Sequence, residues 1–197
     1  MGKTVTACNW VISRAIEEDL NEYVQIGVLA KKDVIHWRVP GTETPEPKDG
    51  EIIVFTDHML RGFSPPSSKF FRDVLNFFKL RPQDNGPNSV PNICNFQVFC
   101  EVYLQQEPTV ELFKEFYYLN RQNEFTDGPN LELGGISIQL KKEATFLATT
   151  LPNHPKDWNQ TWFYCQDTSP EGENPLSGYR HSRLSNRHLL PDRISTT

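Results

Sequence analysis

Three stretches between Phe70 and Tyr117 place aromatic rings at helical spacing, and this repetition constrains the fold more than any other feature of the chain. In the first, Phe70, Phe71, Val74, Leu75 and Phe78 make a broad apolar face behind a helix cap from Ser67 or Ser68. In the second, NSVPNICNFQVFCEVYL, Pro91 fits only a first turn, so a helix should start near Ser89. Its face holds Ile93, Phe96, Cys100 and Tyr103, widened by Phe99. The third, TVELFKEFYYLN, repeats the pattern with Leu112, Phe113, Phe116 and Tyr117. Three such helices with short connections should pack on one another and form the core. Thirteen phenylalanines supply that core with large flat side chains, and fifteen prolines interrupt it often.

The flanking segments are of other kinds. AIEEDLNEYVQIG reads as a helix with Ile16, Leu20, Tyr23 and Val24 on one stripe. Its acids Glu17, Glu18 and Asp19 lie in the first turn, where the helix dipole favours them, and Gly27 is placed to end it. TETPEPKDG, residues 42–50, reads as a linker or exposed loop. EIIVF follows as a short buried strand, with a helical turn as the alternative. After the polar loop NEFTDGPN the period changes. GGISIQL alternates Ile136, Ile138 and Leu140 as a strand, and QTWFYCQ sets Trp162 and Tyr164 against Phe163 and Cys165. The expected class is α+β, mostly helical, with an aromatic-rich helical core and a small C-terminal antiparallel sheet or hairpin. The expected division is an N-terminal helix and lead-in over 1–40, a domain over 41–166, and a disordered basic tail over 167–197.

Charge and cysteine usage exclude several classes. The net charge of −5 argues against a strongly cationic nucleic-acid binder. It is unevenly spread: from Leu176 onward Arg180, Arg183, Arg187 and Arg193 face one acid, Asp192, giving +3 against −8 for the residues before it. Cys8, Cys94, Cys100 and Cys165 show no paired spacing and follow no secretory leader, so reduced thiols in a cytoplasmic or nuclear protein are expected, and the Asn159-Gln160-Thr161 sequon is a chance match. No apolar run reaches the roughly 20 residues of a membrane helix.

The search for chemistry returns little. Gly2-Lys3-Thr4 lacks the glycine-rich turn that cradles phosphate, and Met1 to Thr6 fit only a short, common myristoylation pattern at Gly2. The five histidines are scattered and the cysteines lack zinc-ligand spacing, so no metal or cofactor is expected. Glu111 and Glu115 flank Lys114 on a helix and read as a solvated face rather than a two-metal centre. No nucleophile elbow occurs, and no small-molecule substrate is indicated. An enzyme is not expected. The run His154 to Cys165 could stack on single-stranded bases through Trp158, Trp162 and Tyr164. Yet only Lys156 lies beside them, against Asp157 and Asp167, so packing as an edge of the core is favoured.

Taken in order, these segments resemble the "putative gypsy-type transposon" domain, found in retrotransposon-derived reading frames and abundant in plant genomes, chiefly grasses. The resemblance runs from about Leu20 to Cys165. It rests on the G-F-x-x-P turn Gly62, Phe63 and Pro65; on Phe70, Phe71 and Arg72; on Pro87-Asn88, Cys100-Glu101, Gly134-Gly135 and the closing Trp162-Phe163. The segment QQEPT at 105–109 departs from a glycine and Pro-His found in relatives. Despite the family's transposase label, the resemblance implies a Gag-like or structural module with no assigned catalytic residues, and these motif residues are expected to be structural. Self-association or a protein partner is the leading expectation. Nucleic-acid binding through Arg180, Arg183, Arg187 and the aromatic strand is the alternative, and a nuclease or strand-transfer enzyme the lesser one.

Overall fold

The computed structural model describes residues 10–41, 45–121, 133–144, 151, 157–170 and 175–176. It is an α+β molecule in which helices and two small antiparallel sheets share one aromatic core. The helices are α1 (Glu17–Gln25), α2 (Thr56–Leu60), α3 (Lys69–Phe78), α4 (Ser89–Val98) and α5 (Val110–Phe116), and a π-helical segment, Phe99–Leu104, continues α4. The strands are β1 (Trp37–Arg38), β2 (Glu51–Phe55), β3 (Tyr117–Arg121), β4 (Ile136–Leu140) and β5 (Trp162–Gln166).

Local chemistry sets the helix ends. The Ser68 hydroxyl accepts from the Phe71 amide at 3.2 Å, and Thr109 caps α5 in the same way through Leu112. At the end of α1 the Gly27 and Val28 amides donate to the carbonyls of Val24 and Tyr23, a Schellman closure that needs the φ of +78° only glycine adopts freely. Leu20 is buried on α1, with Tyr23 and Val24 packed beside it. Ile16 is half exposed at the helix entrance and does not complete the stripe.

The three aromatic faces meet as expected. Phe96 is the hub: Phe70 stacks on it at 5.7 Å, Phe113 meets it edge-on at 5.2 Å, and Phe116 and Tyr117 close the ring of neighbours. Aromatic pairs of this kind add about 0.5–1.5 kcal/mol each beyond their area burial.

The sheets join residues far apart in sequence. In the three-stranded sheet the order is β1-β5-β2, both pairings antiparallel, with Trp37 opposite Cys165 and Phe55 opposite Trp162. The end of the aromatic run, β5, is thus the central strand of this sheet, with an apolar cluster on each face. β1 precedes residue 41 and still shares that sheet with β5. The second sheet pairs β3 with β4, so the two C-terminal strands join different sheets rather than each other. The outer side of β4 is closed by α4: Ser89 Oγ accepts from the Ile138 amide at 3.0 Å and Asn92 Nδ2 donates to its carbonyl at 2.8 Å. Side chains here satisfy a strand edge that would otherwise invite pairing.

Two expectations on the helices are corrected. The third aromatic helix stops at Phe116, and Tyr117–Arg121 is strand, because its β-prone Tyr-Tyr-Leu run pairs in register with β4. Tyr103 does not join the face of Ile93, Phe96 and Cys100; it is 69% exposed. The backbone turns π-helical at Phe99, each turn then takes in an extra residue, and the face rotates off the core.

Candidate interaction surface

Among the described residues, the aromatic side chains singled out for binding are packed in the interior. Trp158, Trp162 and Tyr164 are 3%, 0% and 1% exposed. They form a second apolar cluster with Ile53, Phe55 and Leu133, while Phe163 and Cys165 on the opposite face of β5 enter the main core. Trp158 stacks on the His58 ring at 5.4 Å and meets Phe55 edge-on. Trp162 is pinned by the N-terminal strap: Ser13 Oγ bonds both its amide and its carbonyl, and its indole N–H donates to the Val11 carbonyl at 3.1 Å. These rings stack on one another and on protein, so they present no face to a base. Arg180, Arg183, Arg187 and His154 to Lys156 lie outside the described residues.

Tyr164 closes an ion-pair assembly that no spacing in the sequence announces. Arg38 donates to both Glu51 carboxylate oxygens, at 2.8 and 2.6 Å, and lies 3.9 Å over the Tyr164 ring. The Tyr164 hydroxyl accepts from the Glu46 amide at 2.7 Å. Burial pushes the Glu51 carboxyl up, but bonds from Arg38 and the Lys48 amide outweigh it and hold the group below the usual carboxylate range. This assembly fastens residues 46–51 to β5. Cys8 lies outside the described residues; of the other cysteines, burial pushes Cys94 up to about 11 and Cys165 up to about 12, and Cys100 is raised by burial and by Glu101, which disfavours the reactive thiolate. Among the described residues no group of His, Cys, Asp and Glu is placed to hold a metal ion, and no helix is long and apolar enough to cross a membrane. Glu111 and Glu115 are exposed, and Lys114 lies over the Phe77 ring.

The motif residues of the expected transposon domain build the framework around one surface. Gly62, with φ +109°, turns the chain so that Phe63 packs on Phe71; a Cβ on this glycine would approach Cys94 Sγ to 3.3 Å. Pro65 is buried, and Arg72, 3% exposed, donates to the Ser67 carbonyl. Phe70 and Cys100 are core, Pro87 is buried, and Asn88 accepts from Arg61 at 2.8 Å. Further along, Gly134 lies so close to Trp158 that a Cβ would stand 2.6 Å from its ring; Gly135, Trp162 and Phe163 are buried beside it. Gly62 and Glu101 are the exposed members of this set.

Between the Gly62–Ser68 turn and α4 runs a groove of about 380 Å³, lined by Phe63, Ser64, Ser68, Cys94, Gln97 and Glu101. A relay crosses it: Ser68 Oγ donates to Gln97 at 2.7 Å, and Gln97 Nε2 donates to Glu101 at 2.8 Å. The groove opens onto the end of α4 and the π-helical segment, where Val98, Val102, Tyr103 and Leu104 are 50%, 61%, 69% and 44% exposed. Phe99 stacks against Tyr103 at 6.2 Å and supports the ridge from beneath. Gln105 in the left-handed region ends it, with the Gln106 amide returning to the Cys100 carbonyl at 3.1 Å. Sequence reasoning missed this ridge because Tyr103 fits the α-helical stripe; the only signal was the unbroken apolar run at Val102-Tyr103-Leu104.

The class so defined is an α+β domain with an aromatic interior and an exposed apolar helix end. Residues 52–121, from β2 to the end of β3, match the family model described as "Putative gypsy type transposon". Over this span the resemblance read from Gly62 to Glu101 holds; the Gly134-Gly135 and Trp162-Phe163 motifs lie beyond it. No curated protein and no solved structure matches the chain.

Proposed function

We propose that this chain is a non-catalytic, Gag-like interaction module of a retrotransposon-derived reading frame, working inside the cell by binding another protein chain. The observation that carries this reading is the ridge of Val98, Val102, Tyr103 and Leu104. Large apolar side chains exposed together on one helix end favour removal from water by a partner. The internal position of Trp158, Trp162 and Tyr164 supports the same reading over base stacking.

Sedimentation of the purified protein, alone and with a mixed RNA and single-stranded DNA pool at low and moderate salt, tests it. Association without nucleic acid, weakened by Val102→Asp, is the expected result. A monomer that shifts only with nucleic acid, and releases it as salt rises, would move the function to phosphate binding by the arginines after Leu176. Adding Mg²⁺ or Mn²⁺ is expected to leave both the nucleic-acid pool and the thermal midpoint unchanged; cleavage would revive the enzyme reading.

A further inference from the structure

The ridge has a charge setting that restricts what can cover it. From residue 82 to residue 113 the chain contains no lysine, arginine or histidine, while Glu101 and Glu107 flank the ridge and both are exposed. Two copies of this surface brought face to face would oppose like charges, which disfavours pairing ridge to ridge. The fitting surface is partly apolar and carries cations. Such a surface lies at the far end of α3. Lys114 Nζ sits 4.4 Å over the half-buried Phe77 ring, and Lys141 Nζ donates to the Lys114 carbonyl at 2.6 Å. Lys79 and Lys142, close to them in sequence and both exposed, extend the patch. Four lysines from three parts of the chain thus share this surface, against Glu115 and Glu143 as the exposed acids adjoining them in sequence.

We infer that the ridge of one copy docks on the lysine patch of a second copy. This deepens the interaction reading and rests on it. The acids flanking the ridge meet ammonium groups, while the aliphatic stems of the lysines and the Phe77 ring meet its apolar side chains. A copy cannot cover its own ridge in this way. Ser68, which caps the start of α3, donates to Gln97 at the ridge end of α4, whereas Lys79 closes the opposite end of α3. The ten residues between them rise about 15 Å along the helix axis. Phe70 and Phe78, near the two ends of that helix, are packed in one core, so the separation is fixed. The patch therefore reaches only another molecule's ridge.

Sedimentation equilibrium of the full chain at low salt tests the contact. Two double variants each reverse the charge of one surface: Glu101→Lys with Glu107→Lys on the ridge, and Lys79→Glu with Lys142→Glu on the patch. Each alone is expected to associate about tenfold more weakly than wild type, as the reversal of two partly exposed charges implies. Mixed in equal amounts they should regain wild-type association, because each ridge then finds a patch of opposite charge. That recovery also shows both variants to be folded. Patch reversal without effect on association would overturn the inference, and so would a mixture that associates no more tightly than its components. Val102→Asp separates the two readings. If it weakens association while the patch variant matches wild type, the ridge binds some other surface and the interaction reading stands without the patch. If it leaves association intact, the interaction reading itself fails.

Discussion

Trp158–Cys165 and Phe96–Leu104 are both rich in aromatic and apolar residues, yet one is interior and the other ends in a ridge open to solvent. The first runs from a 3-10 turn, Trp158–Gln160, into strand β5, where successive side chains point to opposite faces. Because β1 and β2 flank β5 and an apolar cluster lies on each face, all of Trp162 to Cys165 is buried whichever way each points. The second is helix, where burial depends on angular position. Ile93, Phe96 and Cys100 keep that angle; past Cys100 the π-helical turn loses it, and Tyr103 leaves the core. In a central strand apolar character alone suffices for burial, whereas in a helix a change of pitch sends an equally apolar residue outward.

Substitutions at each end sharpen the contrast. Trp162→Ala should have the largest effect, destabilising by about 4 kcal/mol in denaturant titrations through a cavity in the central strand. A loss below about 1 kcal/mol would show the strand to be peripheral. Glu51→Gln should come next, at about 2 kcal/mol near neutral pH, because it leaves Arg38 partly desolvated beside β5. Its pH dependence has a definite sign. The folded carboxyl is held below its unfolded value, so the ion pair's contribution is present above about pH 5 and lost as pH falls through the folded value. The gap between wild type and variant should therefore shrink in acid; a gap independent of pH would remove the ion pair as its cause. Tyr103→Ser should have the smallest effect on stability, within about 0.5 kcal/mol. The same substitution should reduce association in sedimentation, and a stability loss comparable to that of Trp162→Ala would mean that Tyr103 is core after all.

Much of the fold was legible where neighbours in sequence supply the physics. The Ser68 cap, the α3 face, the start of α4 at Ser89 and the alternation of Trp162 to Cys165 follow from spacing within a few residues. The conversion of Tyr117 from helix to strand did not, because β4 decides it from outside the local window. The Arg38–Glu51–Tyr164 assembly was illegible for the same reason, since its partners meet only once β5 has passed between β1 and β2. Of the candidate site, the aromatic strand was correctly favoured as core, and the ridge was hidden by a periodicity that the backbone abandons.

By itself the sequence determined the amphipathic helices, their caps and the two-sided apolar pattern of β5, because these depend on contacts a few residues apart. Only the tertiary structure decided which strands pair, which aromatic run is interior and which apolar run remains exposed. Burial is settled by what arrives from elsewhere in the chain: β1 and β2 enclose Trp162, while no described element packs over Val102 and Tyr103.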